Sequence, residues 1–143
     1  MRRAFFAVVV SLFIASSASA EMRHTFFSEY NLASTSWVYD STGATSTGDT
    51  ADVFTYDKKT IFITPELLNT NNIEYRIEGR AIGDLTSWYV LDYGEIGKAS
   101  NDTSKHLAID VTELVDYLRV GLRVLASDGA DRITVRGIFR KSN

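Results

Sequence analysis

The chain has 143 residues, with 15 Lys and Arg against 18 Asp and Glu, a formal net charge of −3, and no cysteine. That length suits one domain with a core of ordinary size. The acidic balance argues against nucleic acid as the main partner, and the missing thiols exclude disulfide staples, redox chemistry and zinc–thiolate centres.

In chain order, Met1 to Ala20 places Arg2 and Arg3 before the apolar run Ala4 to Ala15 and ends on Ala18-Ser19-Ala20. This is the pattern of a cleavable signal peptide, its apolar run short for a membrane span. The expected division is a signal peptide over 1–20 and a β-sandwich domain over 21–143, secreted, periplasmic or at the cell surface. Without Arg2 and Arg3, 13 bases face 18 acids, a net charge of −5. The charge is uneven: Tyr117 to Asn143 holds six bases and two acids.

Runs rich in β-branched and aromatic residues predict strands at Thr25–Tyr30, Ser36–Tyr39, Val53–Tyr56, Thr60–Thr64, Ile73–Ile82, Trp88–Tyr93 and His106–Val111. Only two short helical turns have room, Pro65 to Leu68 and Thr112 to Asp116, the second with capping-box spacing between Asp110 and Glu113. Neither is long enough for a parallel crossover, so the expected fold is all-β: one antiparallel, jelly-roll-like sandwich of about 8–9 strands. Along Ile73 to Ala81, Ile73, Tyr75, Ile77, Gly79 and Ala81 share one face, while Glu74, Arg76, Glu78 and Arg80 share the other. That charged ladder reads as a solvated outer face, or as a self-complementary surface for a second copy.

Tyr117 to Arg140 reads as a β-hairpin turning at Asp128-Gly129, a pair suited to the positive φ angles of a type I′ turn. The register this sets puts Val124 opposite Ile133, Leu122 opposite Val135, Val120 opposite Gly137 and Leu118 opposite Phe139, with all apolar residues on one face. The other face then carries Arg119, Arg123, Arg132, Arg136 and Arg140. In this register Leu122→Ala costs about 2–5 kcal/mol, Arg123→Ala costs little, and Gly129→Val costs at least about 1 kcal/mol through backbone strain. Glu74 and Glu78 neutralise part of the arginine face if their strand adjoins the hairpin; otherwise an anionic partner must.

Motifs for catalysis are missing. His24 and His106 are the only histidines, without the spacing of a hydrolase elbow or a zincin. Gly94 to Ala99 lacks the glycine spacing and the magnesium-binding hydroxyl of a phosphate loop, and although carboxylates are plentiful, a glycosidase needs two at a defined separation, a distance that sequence does not give. The chain is therefore read as a non-enzyme. No cofactor is expected beyond a structural calcium, for which Asp40, Asp49, Asp52, Asp84, Asp92, Glu95 and Asp102 in or beside loops supply hard oxygens. The loops Ser41 to Thr50 and Gly94 to Lys105 are long enough to carry a binding site. Of the aromatics Trp37, Tyr39, Trp88, Tyr89 and Tyr93, those near Trp88 suit a sugar-stacking platform, whereas Trp37 reads as core.

Ile109 to Val115, with Asp110-Val111-Thr112 leading into the strand at Leu118, resembles the closing segment of galactose-binding-like jelly-roll domains. The resemblance covers the last quarter of the chain and implies a carbohydrate- or surface-binding module, with no ligand residues matched. The expected function is binding of an extracellular glycan or anionic surface polymer, through a surface drawn from Trp88, Tyr89, Tyr93, Arg119, Arg123 and Arg136. The alternative is a structural subunit packing with copies of itself, motivated by Ile61-Phe62-Ile63 and Trp88-Tyr89-Val90-Leu91, which are apolar on both strand faces.

Overall fold

The computed structural model describes residues 20–39, 50–67, 72–81, 83, 84, 86–97, 106–126 and 131–142. Eight strands run through them: β1 (Glu21–Leu32), β2 (Thr50–Asp52), β3 (Lys58–Leu67), β4 (Asn72–Arg80), β5 (Tyr89–Gly97), β6 (Leu107–Val111), β7 (Tyr117–Val124) and β8 (Asp131–Arg140). Among the described residues no helix is long and apolar enough to cross a membrane.

The strands form two four-stranded sheets, A in the order β1-β8-β3-β6 and B in the order β2-β7-β4-β5. Every pair is antiparallel. β4 pairs with β5, β3 with β6, β2 with β7 and β1 with β8, so the chain is one long hairpin, centred between β4 and β5, whose successive strand pairs fall alternately into B and A. That is the strand order of a jelly roll, as the patterning predicts.

Alternation decides which residues fill the space between the sheets. From sheet B, Ile73, Ile77, Leu118, Val120, Leu122 and Val124 are buried; from sheet A, Ile61, Ile63, Ile133, Val135 and Phe139 meet them. β1 departs from strict period two. Phe26 and Phe27 are neighbours and both fully buried, which a regular strand cannot achieve. A bulge between Thr25 and Phe27 makes Phe26 the extra residue and turns both rings inward. A second irregularity, before Tyr30, contains Glu29 at φ 48°, where the Thr134 hydroxyl accepts the Glu29 N–H at 2.9 Å.

The C-terminal hairpin does not form. β7 and β8 follow one another but lie in different sheets: Leu122 sits opposite Tyr75 of β4, and Val135 lies between Phe27 of β1 and Ile63 of β3. Each strand's buried face is as its alternation predicts, yet the two faces meet across the sandwich instead of lying side by side. The five arginines divide accordingly, Arg119 and Arg123 on the outer face of B, Arg132, Arg136 and Arg140 on the outer face of A. Asp128-Gly129 lies outside the described residues.

Smaller corrections have local causes. Val53–Tyr56 is a turn closed by Tyr56 N–H donating to Val53 O at 3.0 Å, and the strand lies just before it, at β2. Ser36–Tyr39 makes a single bridge, Val38 to Leu122. It continues the β2 edge along β7, since Thr50 takes up the pairing at Arg119. Pro65 stands within β3, which runs on to Leu67 instead of coiling. Thr112 to Asp116 is not helical, so Asp110 caps nothing, and its carboxylate accepts the Thr60 hydroxyl across the sheet at 2.7 Å.

Candidate functional site

The two outer faces of the sandwich differ in chemistry. On sheet B, pairing places Glu74 opposite Arg123 and Glu78 opposite Arg119. Arg119 Nε is 2.6 Å from Glu78 Oε2. Arg76 Nε approaches Glu78 Oε1 at 2.9 Å, close enough for charge attraction though not aligned as a hydrogen bond. Tyr39 OH donates to the same oxygen at 3.1 Å. Glu74 accepts from Arg123 Nε on one oxygen and from Tyr93 OH at 2.5 Å on the other. Glu74 and Glu78 are only 5% and 4% exposed, so this ladder is not the solvated surface its alternation suggests.

What covers the glutamates is a layer of rings and guanidinium groups. Trp37 lies under Arg76 at 4.2 Å and Arg123 at 4.6 Å. Tyr39 lies under Arg119 at 4.0 Å and Arg76 at 5.1 Å. Trp88 stacks with Arg119 at 4.2 Å and Arg80 at 5.4 Å, and Arg80 reaches Tyr117 at 4.3 Å. Each such contact contributes about 0.5–2 kcal/mol as water is removed. Trp37 is therefore not part of the core between the sheets, as its strand setting suggests, but part of this outer layer.

Gly121, opposite Arg76 of β4, lets the layer lie flat. A Cβ there would stand 2.8 Å from Tyr39 Cε1 and 3.2 Å from both Trp37 Cε3 and Arg76 Cγ. A glycine inside a strand is a signal of close approach that the sequence carries. Gly121→Ala is expected to cost about 1–3 kcal/mol as an overpacking change and to loosen the rings, read by tryptophan fluorescence alongside a denaturant titration. An unchanged midpoint and spectrum would contradict the packed layer.

The tyrosine and arginine beside Glu74 hold its carboxyl below the ordinary 4.5, and Glu74 in turn raises the Tyr93 phenol above 10.0. A depressed carboxylate stabilises the fold above its unfolded-state value, and that contribution disappears as pH falls through the folded value. A raised phenol stabilises below its unfolded value and loses that contribution as pH rises through the folded one. Tyr93→Phe should therefore lower the melting temperature near neutrality and reduce its fall at both acid and alkaline pH. A variant with the wild-type profile would show that the bond carries no stability.

Of the expected ligand surface, sheet B brings together Trp88, Tyr93, Arg119 and Arg123, but both arginines are committed to buried acids. Tyr89 is exposed, and its hydroxyl donates to Asp84 Oδ2 at 3.1 Å. Asp84 Oδ1 accepts from Thr86 N–H at 2.9 Å and Ser87 N–H at 3.1 Å, which holds that carboxyl far below the usual range. Among the described residues no three His, Asp or Glu side chains converge as metal ligands. Asp40, Asp49 and Asp102 lie outside them.

Arg136 is on the opposite side of the molecule, in the outer face of sheet A. Strand pairing sets out rows there: Thr25, Arg136, Phe62 and Ala108 in one, and Arg23, Ile138, Thr60 and Asp110 in the next. Two depressions of about 380 and 590 Å³ share Phe62 and Ile138. Phe62 is 37% exposed although its strand neighbours Ile61 and Ile63 are wholly buried. Glu21 bridges Arg23 and Arg140, each at 2.7 Å, which lowers its carboxyl pKa. Arg136 makes no ion pair among the described residues. Phe62 is legible in the sequence as an aromatic at an outward position; the depressions require the sheet.

The sequence matches no protein-family model and no curated protein. The crystal structure of SPBc2 prophage-derived protein YomS is similar to this chain, with a TM-score of 0.52 over 94% of this chain and 100% of that one, at 14% identity. At that identity the likeness shows the fold alone.

Proposed function

We propose that the protein is an exported, non-enzymatic binding module for an anionic glycan or surface polymer, with the outer face of sheet A as its ligand surface. The observation that carries this reading is the contrast between the faces. On sheet B, Arg119 and Arg123 are held by buried glutamates and stacked on rings. On sheet A, Arg136 lies beside an exposed phenylalanine in an open groove. Guanidinium groups make strong, directed bonds to carboxylate, sulfate and phosphate alike, and an aromatic face suits the C–H face of a sugar. Export rests on the signal pattern of residues 1–20. The resemblance of the Asp110-Val111-Thr112 segment to galactose-binding-like domains points the same way.

The test is retention of the protein on an immobilised acidic polysaccharide, with a neutral one as control. Screening lengths fall from about 10 Å at 0.1 M salt to about 3 Å at 1 M, so bound protein should elute as salt rises. Equal retention on both matrices, or none, would refute the reading.

A second reading, a self-assembling subunit, has its own observation. β5 is an edge strand with Tyr89, Val90 and Tyr93 each more than half exposed, and an open apolar edge is a template for pairing. Light scattering after size exclusion separates the two. The binding module elutes as a monomer at all concentrations, and the subunit as a discrete larger species.

A further inference from the structure

Resting on the reading of sheet A as the ligand surface, we infer that this surface holds two separate anion seats, at Arg136 and at Lys58, and that its ligand is an extended chain carrying anionic groups about 14 Å apart. Pairing of β3 with β8 sets out three outward-facing rows in succession: Phe62 with Arg136, Thr60 with Ile138, and Lys58 with Arg140. Arg136 and Lys58 are therefore diagonal corners of one patch. Each row is two residues from the next, and with a rise of about 3.4 Å per residue and about 4.8 Å between strands the corners stand roughly 14 Å apart.

Each corner lines its own depression, and the apolar pair Phe62 and Ile138 borders both. Lysine and arginine outnumber acids by one in each. The first has Arg23 and Arg136 with Glu66; the second has Lys58, Lys59 and Arg140 with Asp57 and Asp110. The acids already accept hydrogen bonds, Glu66 from the Thr134 hydroxyl at 2.6 Å, Asp110 from the Thr60 hydroxyl at 2.7 Å and Asp57 from the Ser142 N–H at 2.8 Å. Arg23 and Arg140 share Glu21. Lys59 is 2% exposed, and its ammonium donates to the Glu113 carbonyl at 3.1 Å. Arg136 and Lys58 are left, both exposed and neither in an ion pair among the described residues, as one available cation in each depression.

Their separation decides what the surface selects. A single small anion reaches one seat and leaves the other unmatched. A chain lying across Phe62 and Ile138 reaches both, and its second contact is intramolecular, made at an effective concentration in the millimolar range. Guanidinium and ammonium groups bind carboxylate, sulfate and phosphate alike, so the surface reads the span of the ligand and not the kind of anion. Arg132 is also exposed on this face but lines neither depression, and it belongs to neither seat.

Amide chemical-shift titration of the labelled protein tests this with oligomers of one acidic sugar of increasing length, in a carboxylated and a sulfated series. The monosaccharide should shift Arg136 and Lys58 along separate curves. Once the chain spans both seats, the two residues should follow one curve, with affinity about ten-fold higher, equivalent to about 1.4 kcal/mol and near the low end for a hydrogen bond to a charged group. The step should fall at the same length in whichever series binds, and the tighter series identifies the anion. Lys58→Gln should lower the affinity of the long oligomer, read at Arg136, about ten-fold while leaving that of the monosaccharide unchanged there; Arg136→Gln should do the same for the curve read at Lys58. Arg132→Gln should alter neither, and all three variants should keep the wild-type melting temperature. Affinity that does not depend on length, that ignores Lys58→Gln, or that falls as far in Arg132→Gln overturns the two seats and leaves the ligand surface standing. No shifts on the outer face of sheet A with any oligomer, or shifts that neither Arg136→Gln nor Lys58→Gln alters, overturn both.

Discussion

Arg123→Ala is expected to destabilise the protein by about 3 kcal/mol, although it changes a residue on the outer face of a sheet. Removing one partner of a buried ion pair costs about 3–5 kcal/mol because it strands the other charge, and the lower end applies since the Arg123 side chain is 34% exposed. The stranded group is Glu74, 5% exposed, whose only other partner among the described hydrogen bonds is the Tyr93 phenol. Trp37 also loses one of its two guanidinium contacts. The double variant Arg123→Leu with Glu74→Leu should recover much of the loss, since replacing both members of a buried pair by apolar residues is often neutral. Denaturant midpoints of the single and double variants measure this. A near-neutral single variant, as simple strand alternation predicts, would show that Glu74 is solvated after all.

Leu122→Ala is expected to cost about 2–5 kcal/mol. Leu122 is wholly buried, and its backbone exchanges both hydrogen bonds with Val38 at 2.9 Å, so the strand has little freedom to collapse into the space left. Leu114→Ala, at a residue 76% exposed, is the control and should stay within about 0.5 kcal/mol. Similar midpoints for the two would contradict the assignment of β7's buried face.

The sequence exposes the faces of this fold far better than its partners. On β4, β7 and β8 the alternation of apolar residues predicts which side chains face the opposite sheet, because a period of two leaves no other arrangement, although Glu74 and Glu78 on the outer face of β4 are buried as well. It does not say which strand lies alongside. Leu122 and Val135 match equally well as side-by-side neighbours in a hairpin and as opposing residues in a sandwich, and the jelly roll chooses the second. β1 hides a further step, since the bulge that buries both Phe26 and Phe27 has no period to announce it. The candidate site was readable in the same partial way. Trp88, Tyr93, Arg119 and Arg123 do converge, and the possibility that Glu74 and Glu78 neutralise those arginines holds. Arg136 joins them only in the hairpin register, and the sandwich places it on the other side of the molecule. Gly121 was legible as an oddity within a strand, but its purpose depends on Trp37 and Tyr39, which reach β7 through one bridge.

The proposal that the outer face of sheet A binds the ligand, while the arginines of sheet B are held by their own acids, is tested directly by amide chemical-shift mapping. On addition of an acidic polysaccharide to the labelled protein, shifts are predicted at Thr25, Phe62, Thr64, Arg136 and Ile138, saturating with the ligand, while Trp37, Trp88, Tyr93, Arg119 and Arg123 stay in place. Shifts confined to that second group, with the outer face of sheet A silent, would contradict it.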